Sequence, residues 1–360
     1  MTALLPTPTT IFRLTDDLTA AEPPEQRGLS RDGVRLLVAQ HRPDQLEHIS
    51  HHRFRELPDF LGAGDLLVVN NSETLAGEIE GSWRHSEPVI VHFATGLDDG
   101  TWVVELRSAP DGAAPVLTAT AGEVVRLPQQ LTLRLIEAYG GIAASPTGEG
   151  NRLWRAEVDS AVAVAVYLAR YGRPISYGYL RRHWPLRDYQ TVFSREPGSA
   201  EMPSAGRPFT TELVTELVSR GVGLAPITLH TGVSSQDAGE PPQPERFEVG
   251  ASTARLVNQT RRAGGRVVAV GTTVTRALES AADDAGEVQP CSGWTEHIVG
   301  GENPARVVTG LITGLHNPEA SHLLLVESVA GARLTQLAYD AAVAHRYLWH
   351  EFGDSCLLLP

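Results

Sequence analysis

RVVAVGTTVTRALES, residues 266–280, sets a short apolar run against a Gly-Thr-Thr turn and then a helical pattern. Val267, Val268, Ala269 and Val270 read as a buried strand, Gly271 allows the turn, and Thr272 or Thr273 is placed to cap the first free amides of the helix that follows. Strand, tight turn and helix start make one α/β unit. The start of such a helix offers N–H groups and hydroxyls to a carboxylate or phosphate. Arg276 falls within a turn of the cap and Glu279 three residues later, so the two either flank that opening or pair with each other on the helix surface. G-x-G-x-x-G is absent, and an ordinary capped helix fits the same letters.

Outward from this unit, residues 34–48 and 54–70 read as strand, turn, a short helix ending near Gly62 and a buried strand, Leu66 to Val69. From Ala76 to Val158 the texture changes to short alternating strands, VIVHFA, WVVELR, TLRLIEA and RLWRAEV, between Gly, Asp and Pro turns. That pattern predicts a small β-barrel or sandwich. Helical texture returns in residues 160–172, 210–221, 251–265 and 334–348. The expected architecture is a discontinuous α/β domain, 1–75 and 159–360, interrupted by an inserted small β domain, 76–158. Ser234 to Pro244, SSQDAGEPPQP, reads as a polar, proline-rich surface loop.

The chain has 360 residues, 42% hydrophobic and 20% charged, enough for a large core and two domains. A net charge of -13 weakens nonspecific attraction to nucleic acid, which Lys and Arg supply by neutralising phosphates, though a local basic patch stays compatible with it. Cys291 and Cys356 form no C-x-x-C pair and no disulfide framework, which fits a reducing cytoplasm. The first residues, MTALLPTPTTIFRLTDD, contain no basic leader ahead of a long apolar segment, and no run approaches the roughly 18 apolar residues of a membrane span. A cytoplasmic protein is expected. His48, His51 and His52 lack the company of a zinc helix and read as a solvated surface; no metal is expected.

Several further segments occur in a fixed order: GDLLVVNNSETLAGEI (64–79), DYQTVFSREPGSAEMPSAGRPFT (188–210), GVGLAPITLHTGV (221–233), GWTEHIVGG (293–301), GLITGLHNPEASHLLLVESVAG (310–331) and FGD (352–354). With residues 266–280, they resemble the S-adenosylmethionine:tRNA ribosyltransferase-isomerases of queuosine biosynthesis. The resemblance is collinear across most of the chain and implies a two-domain fold, an α/β domain interrupted by a β-barrel.

It also implies a chemistry: the ribosyl portion of S-adenosylmethionine passes to a 7-aminomethyl-7-deazaguanine on tRNA and rearranges to an epoxycyclopentane, releasing adenine and methionine. The sulfonium acidifies the C5′ protons, so a base there starts the expulsion of adenine, and help of this kind is worth about 10²–10⁴-fold. On the family pattern, His230, His316 and Thr191 are the candidate catalytic residues. Gln190, Ser204, Gly271, Thr272, Thr273, Arg276, Glu279 and Asp354 are the candidates for holding S-adenosylmethionine. His230 follows a strand-like run and His316 sits before a proline turn, where an imidazole titrating near neutrality can be aimed into a cleft; each also fits a loop organiser bonded to backbone. Gln190 and Thr191 lie in a run, DYQTVF, that reads as a strand. Asp354 fits an ammonium or adenine contact, or an Asx turn.

The chain departs from the family at several charged positions. Glu73 and Glu78 stand where the family has arginine, Glu201 where it has alanine and Glu319 where it has lysine. Pro208 replaces a histidine, Gly314 an asparagine and Thr309 an aspartate, and the region between Val233 and Phe247 is short but keeps Glu245. Near phosphate a glutamate repels where an arginine attracts. The reading these losses favour is a retained S-adenosylmethionine pocket with a remodelled acceptor side, acting on a small molecule or in a lyase-like reaction, with Glu201 and Glu73 as candidate partners for an ammonium or a cationic acceptor. An orthodox tRNA-modifying enzyme and a non-catalytic S-adenosylmethionine-binding paralogue are the alternatives.

Overall fold

The computed structural model describes residues 7–42, 45–140, 150–233, 243–318 and 320–360. Val267–Val270 occupies the middle of a nine-stranded sheet. Its strand order is Cys291–Thr295, Glu245–Val249, Gly223–Leu229, Leu66–Asn70, Val267–Val270, Gly310–Gly314, Ser355–Leu359, Arg35–Arg42 and Gln45–Arg53. Four neighbours, Gly223–Leu229, Leu66–Asn70, Val267–Val270 and Gly310–Gly314, run parallel, with Leu67 opposite Leu224 and Val268, and Val268 opposite Gly310.

The continuous apolar runs follow from burial on both faces. Leu66, Val68, Val267 and Ala269 enter one core with Val274, Leu278, Leu323 and Val326. Leu67, Val69, Val268 and Val270 enter the other with Phe209, Leu213 and Leu217. The helices form where the 3.6-residue pattern places them, at Val164–Tyr171, Thr211–Ser219, Ala251–Arg262, Thr272–Ser280 and Ala332–Ala344. Thr210 caps the second of these, its hydroxyl accepting the Leu213 N–H at 3.2 Å. A further helix, His322–Ala330, is apolar on nearly every side and carries no amphipathic signal.

The inserted segment is a closed six-stranded barrel, not a sandwich, ordered Leu153–Asp159, Trp102–Ser108, Glu87–Gly96, Glu78–Trp83, Val124–Arg126 and Thr132–Ala138. Phe93, Val104, Leu106, Leu133, Leu135 and Ala156 fill it. Arg173 returns to the barrel's entry, exchanging N–H···O bonds of 2.8 Å in both directions with Glu78.

The run DYQTVF is not a strand. Leu186–Asp188 is a 3-10 turn, and the Thr191 N–H donates to the Ser194 hydroxyl at 3.0 Å, which closes a local turn in place of a ladder. Of the expected surface loop, residues 234–242 lie outside the described residues, as does Glu319. Among the described residues no helix is long and apolar enough to cross a membrane.

Candidate active site

The four parallel strands deliver their carboxyl ends to one edge of the sheet, at Asn70, His230, Gly271 and Leu315–His316. Crevices at this end of open α/β sheets are where ligands bind. Gly271 is itself the N-cap of the helix, at φ 100 and ψ 157, a conformation that suits only glycine. Neither threonine caps the helix, contrary to the sequence expectation. The helix begins one residue earlier, with the Gly271 carbonyl accepting from Thr275, so Thr272 and Thr273 already stand in the first turn. Its leading amides are left without a side-chain cap, and the Thr273 hydroxyl instead lies 3.4 Å from the Asn70 amide nitrogen. A Cβ on Gly271 would sit 3.4 Å from the Ala205 Cβ, which places the Ser204–Gly206 turn against the same opening.

Asn70 knits this edge together. Its amide donates to the Leu229 carbonyl at 2.8 Å, and its carbonyl oxygen accepts from Leu229 and Ser72 N–H, both at 3.0 Å. Ser72 then meets His230 Nδ1 at 2.7 Å and the Ser199 hydroxyl at 2.6 Å. The imidazole lies flat over Gly198, where a Cβ would come within 2.5 Å of the ring. Burial lowers the His230 pKa and Arg246 lowers it further, against a small opposing pull from Glu196. His316 holds Thr313 through Nε2 at 2.9 Å and stacks on His322, centroids 4.9 Å apart and 3° from parallel. Its backbone is fixed on both sides, the N–H by the Tyr339 hydroxyl and the carbonyl by Trp349 Nε1. Burial, then the His322 and His350 rings, pushes His316 well below the usual imidazole range. Burial thus favours the neutral form of both histidines, without charge to repel a sulfonium.

Gln190 bridges to the Thr74 backbone, accepting its N–H at 3.1 Å and donating to its carbonyl at 2.9 Å. Thr191 is buried beneath it. Three expected ligands of S-adenosylmethionine are engaged inside the fold. Arg276 meets Glu245 at 2.5 Å, not Glu279, and its remaining N–H groups donate to the carbonyls of His297, Thr295 and Gln243. The Glu279 carboxylate accepts three consecutive backbone N–H groups, from Arg306, Val307 and Val308. Asp354 binds Arg35 at 2.8 Å and the Leu348 N–H at 2.8 Å.

The profile of the family described as "Queuosine biosynthesis protein" matches residues 9–358. The chain belongs to that family. A S-adenosylmethionine:tRNA ribosyltransferase-isomerase of Pelotomaculum thermopropionicum is 33% identical over 97% of this chain and 98% of the relative. One of Acidiphilium cryptum is 34% identical over 96% and 97%. The crystal structure of the Thermotoga maritima S-adenosylmethionine tRNA ribosyltransferase superposes with a TM-score of 0.52 at 27% identity, covering 97% of this chain and 99% of that one.

The positions at which this member departs from the queuosine biosynthesis family pattern have distinct surroundings. Glu78 is fully buried, bonded to Arg173 at 2.6 Å and His92 at 3.1 Å. Its reversal of charge is therefore neutralised within the protein and presents nothing to an anionic partner. Gly314 leaves open space around its Cα. Glu201 accepts a hydrogen bond from Tyr177. Tyr177, Tyr179, His350 and Glu351 gather beside it on segments that sequence reasoning passed over, because no spacing links residues 177–179 to 350–351.

Proposed function

We propose that this protein consumes S-adenosylmethionine at the sheet edge and transfers its ribosyl portion to tRNA, as the names of its relatives describe for them, with a 7-aminomethyl-7-deazaguanine as the acceptor base. The observation that carries the reading is the meeting of Asn70, His230, Gly271–Thr273 and His316 at the carboxyl ends of four adjacent parallel strands. The uncapped helix start at Gly271 receives the methionine carboxylate. A neutral imidazole, His230 held by Ser72 or His316 held by Thr313, draws off a C5′ proton and the adenine leaves. Gln190, Ser204 and Thr191 line the same crevice, while Arg276, Glu279 and Asp354 hold its walls. The division into units 1–75 with 159–360, and 76–158, belongs to this proposal, with the barrel as the second wall of the tRNA site and the cytoplasm as the compartment. A small-molecule acceptor is the second reading, favoured by the Glu201–Tyr177 contact and the net charge of -13. Thr273→Val tests the cradle: calorimetry should show S-adenosylmethionine binding weakened about tenfold, for loss of one charge-assisted hydrogen bond, and unchanged affinity would remove the assignment.

A further inference from the structure

The two hydroxyls behind His230 form a chain whose direction can be counted from its closed end. Ser72 and Ser199 are fully buried, and among the described residues neither hydroxyl has a partner outside this chain. The Thr231 N–H donates to Ser199 Oγ at 3.1 Å. The Ser199 proton then has one oxygen to reach, Ser72 Oγ at 2.6 Å. The Ser72 proton in turn has one acceptor left, His230 Nδ1 at 2.7 Å. Each hydroxyl has a single proton to give. A proton on Nδ1 would reverse the chain and strand the Ser199 proton in the interior, where an unmet polar group is costly. The same count disfavours the imidazolium, which also carries a proton on Nδ1. The chain is held in place by backbone: the Ser72 N–H donates to Asn70 Oδ1 at 3.0 Å, and Glu196–Ser199 pairs in parallel with Ser72–Thr74.

We propose that Ser72, backed by Ser199, is a positioning residue that keeps the His230 proton on Nε2, so that the imidazole meets the substrate as a neutral hydrogen-bond donor. Which ring nitrogen carries the proton is set by the bond the other makes. Nε2 has no hydrogen-bond partner among the described residues, and the ring is half-buried. The inference rests on the proposed function and divides the work between its two histidines. With Nδ1 occupied by Ser72 and a proton on Nε2, His230 has no lone pair free for the C5′ proton. That lone pair is then His316's, whose hydroxyl partner Thr313 belongs to no such chain and serves as donor or acceptor. The Nε2–H of His230 suits an acceptor that gains negative charge, and the departing adenine is the group that does so. The bond from ribose C1′ to adenine N9 breaks, its electron pair goes to the adenine, the proton stays on His230, and the proton taken from C5′ balances the charge.

The tautomer is read directly from 15N spectra of the full chain labelled in its histidine rings, the His230 signals being those lost in His230→Ala. At neutral pH the wild type should show His230 with Nδ1 unprotonated and Nε2 protonated. Ser72→Asp, whose carboxylate only accepts, should put a proton on Nδ1. Ser72→Ala should lower kcat about tenfold, the scale of one hydrogen bond, with KM for S-adenosylmethionine nearly unchanged. A proton on Nδ1 in the wild type, an unmoved tautomer in folded Ser72→Asp, or wild-type kcat in Ser72→Ala overturns the inference. The wild-type spectrum needs no change at position 72, so the test holds even where a variant misfolds. Adenine release from the wild type with tRNA reads the proposed function separately: its absence sinks the function and leaves the tautomer standing, whereas release with a protonated Nδ1 sinks this inference alone.

Discussion

Glu105 in the barrel is 1% exposed and pairs with Arg107 at 2.7 Å and Arg152 at 3.4 Å, whereas Glu351 at the sheet edge has no ion pair among the described residues and Glu201 as the charge acting on it; each of the two carboxyls keeps one buried oxygen without a hydrogen bond. Burial pushes both carboxyls up. At Glu105 the His92 ring, 3.8 Å away, and the two arginines outweigh it and hold the group below the usual carboxylate range. At Glu351 the neighbouring carboxylate adds to it. Cations of the fold thus oppose the barrel carboxylate, while the Glu351 carboxyl meets another carboxylate. The difference separates a structural ion cluster from a site, and depth of burial alone would not have done so.

The largest effect expected from this contrast is in the barrel. Glu105→Gln removes the carboxylate that Arg107 and Arg152 share in the interior and should cost about 3–5 kcal/mol in denaturant unfolding; a loss below about 1 kcal/mol would make the cluster ornamental. At the edge the same scale of effect should appear in activity. His230→Ala should lower turnover by about 10²–10⁴-fold with S-adenosylmethionine affinity nearly unchanged. Gly198→Ala, which thrusts a Cβ to 2.5 Å from that ring, should reproduce much of this loss without touching the imidazole chemistry. Wild-type turnover in both would return His230 to a structural role.

The pH dependence sharpens the comparison further. The Glu351 carboxyl is raised from 4.5 to about 8 in the fold, so between those values the native state keeps a proton that the unfolded chain has lost. Its contribution to stability accordingly falls as pH rises through that window. Glu105 and Glu78 are lowered, so their contribution is present above the unfolded carboxylate value and is lost as pH falls through the folded one. Glu351→Gln should therefore gain stability relative to wild type as unfolding is followed from pH 5 to pH 8, and a pH-independent difference would contradict the raised Glu351 carboxyl. The smallest effect is that variant's stability at pH 5, where Glu351 is protonated: it should lie within about 1 kcal/mol of wild type.

Much of the fold was legible because the apolar runs at 66–69 and 267–270 are continuous and those of the barrel alternate, and burial on two faces or one dictates this difference. The barrel strand Glu78–Trp83 escaped because Glu78 faces inward with partners on Arg173 and His92, so its pattern looks polar where it is buried. His322–Ala330 escaped for the opposite reason, being apolar all round. At the site, His230, His316 and the Gly271 turn could be read from strand ends and from the family resemblance. Arg276 and Glu279 could not, since the pairing of Arg276 with Glu245 and of Glu279 with three backbone amides depends on segments far away in sequence. The wall from Tyr177 to Glu351 is likewise a product of tertiary structure, joining residues that no local period relates.

The central claim is that the strand-end crevice consumes S-adenosylmethionine, and the most direct measurement follows adenine and methionine by mass spectrometry after incubating the purified protein with S-adenosylmethionine, with and without tRNA bearing 7-aminomethyl-7-deazaguanine. The account predicts release of both products that depends on the tRNA. Release without tRNA would move the acceptor to a small molecule or to none, and no release under either condition would contradict the account.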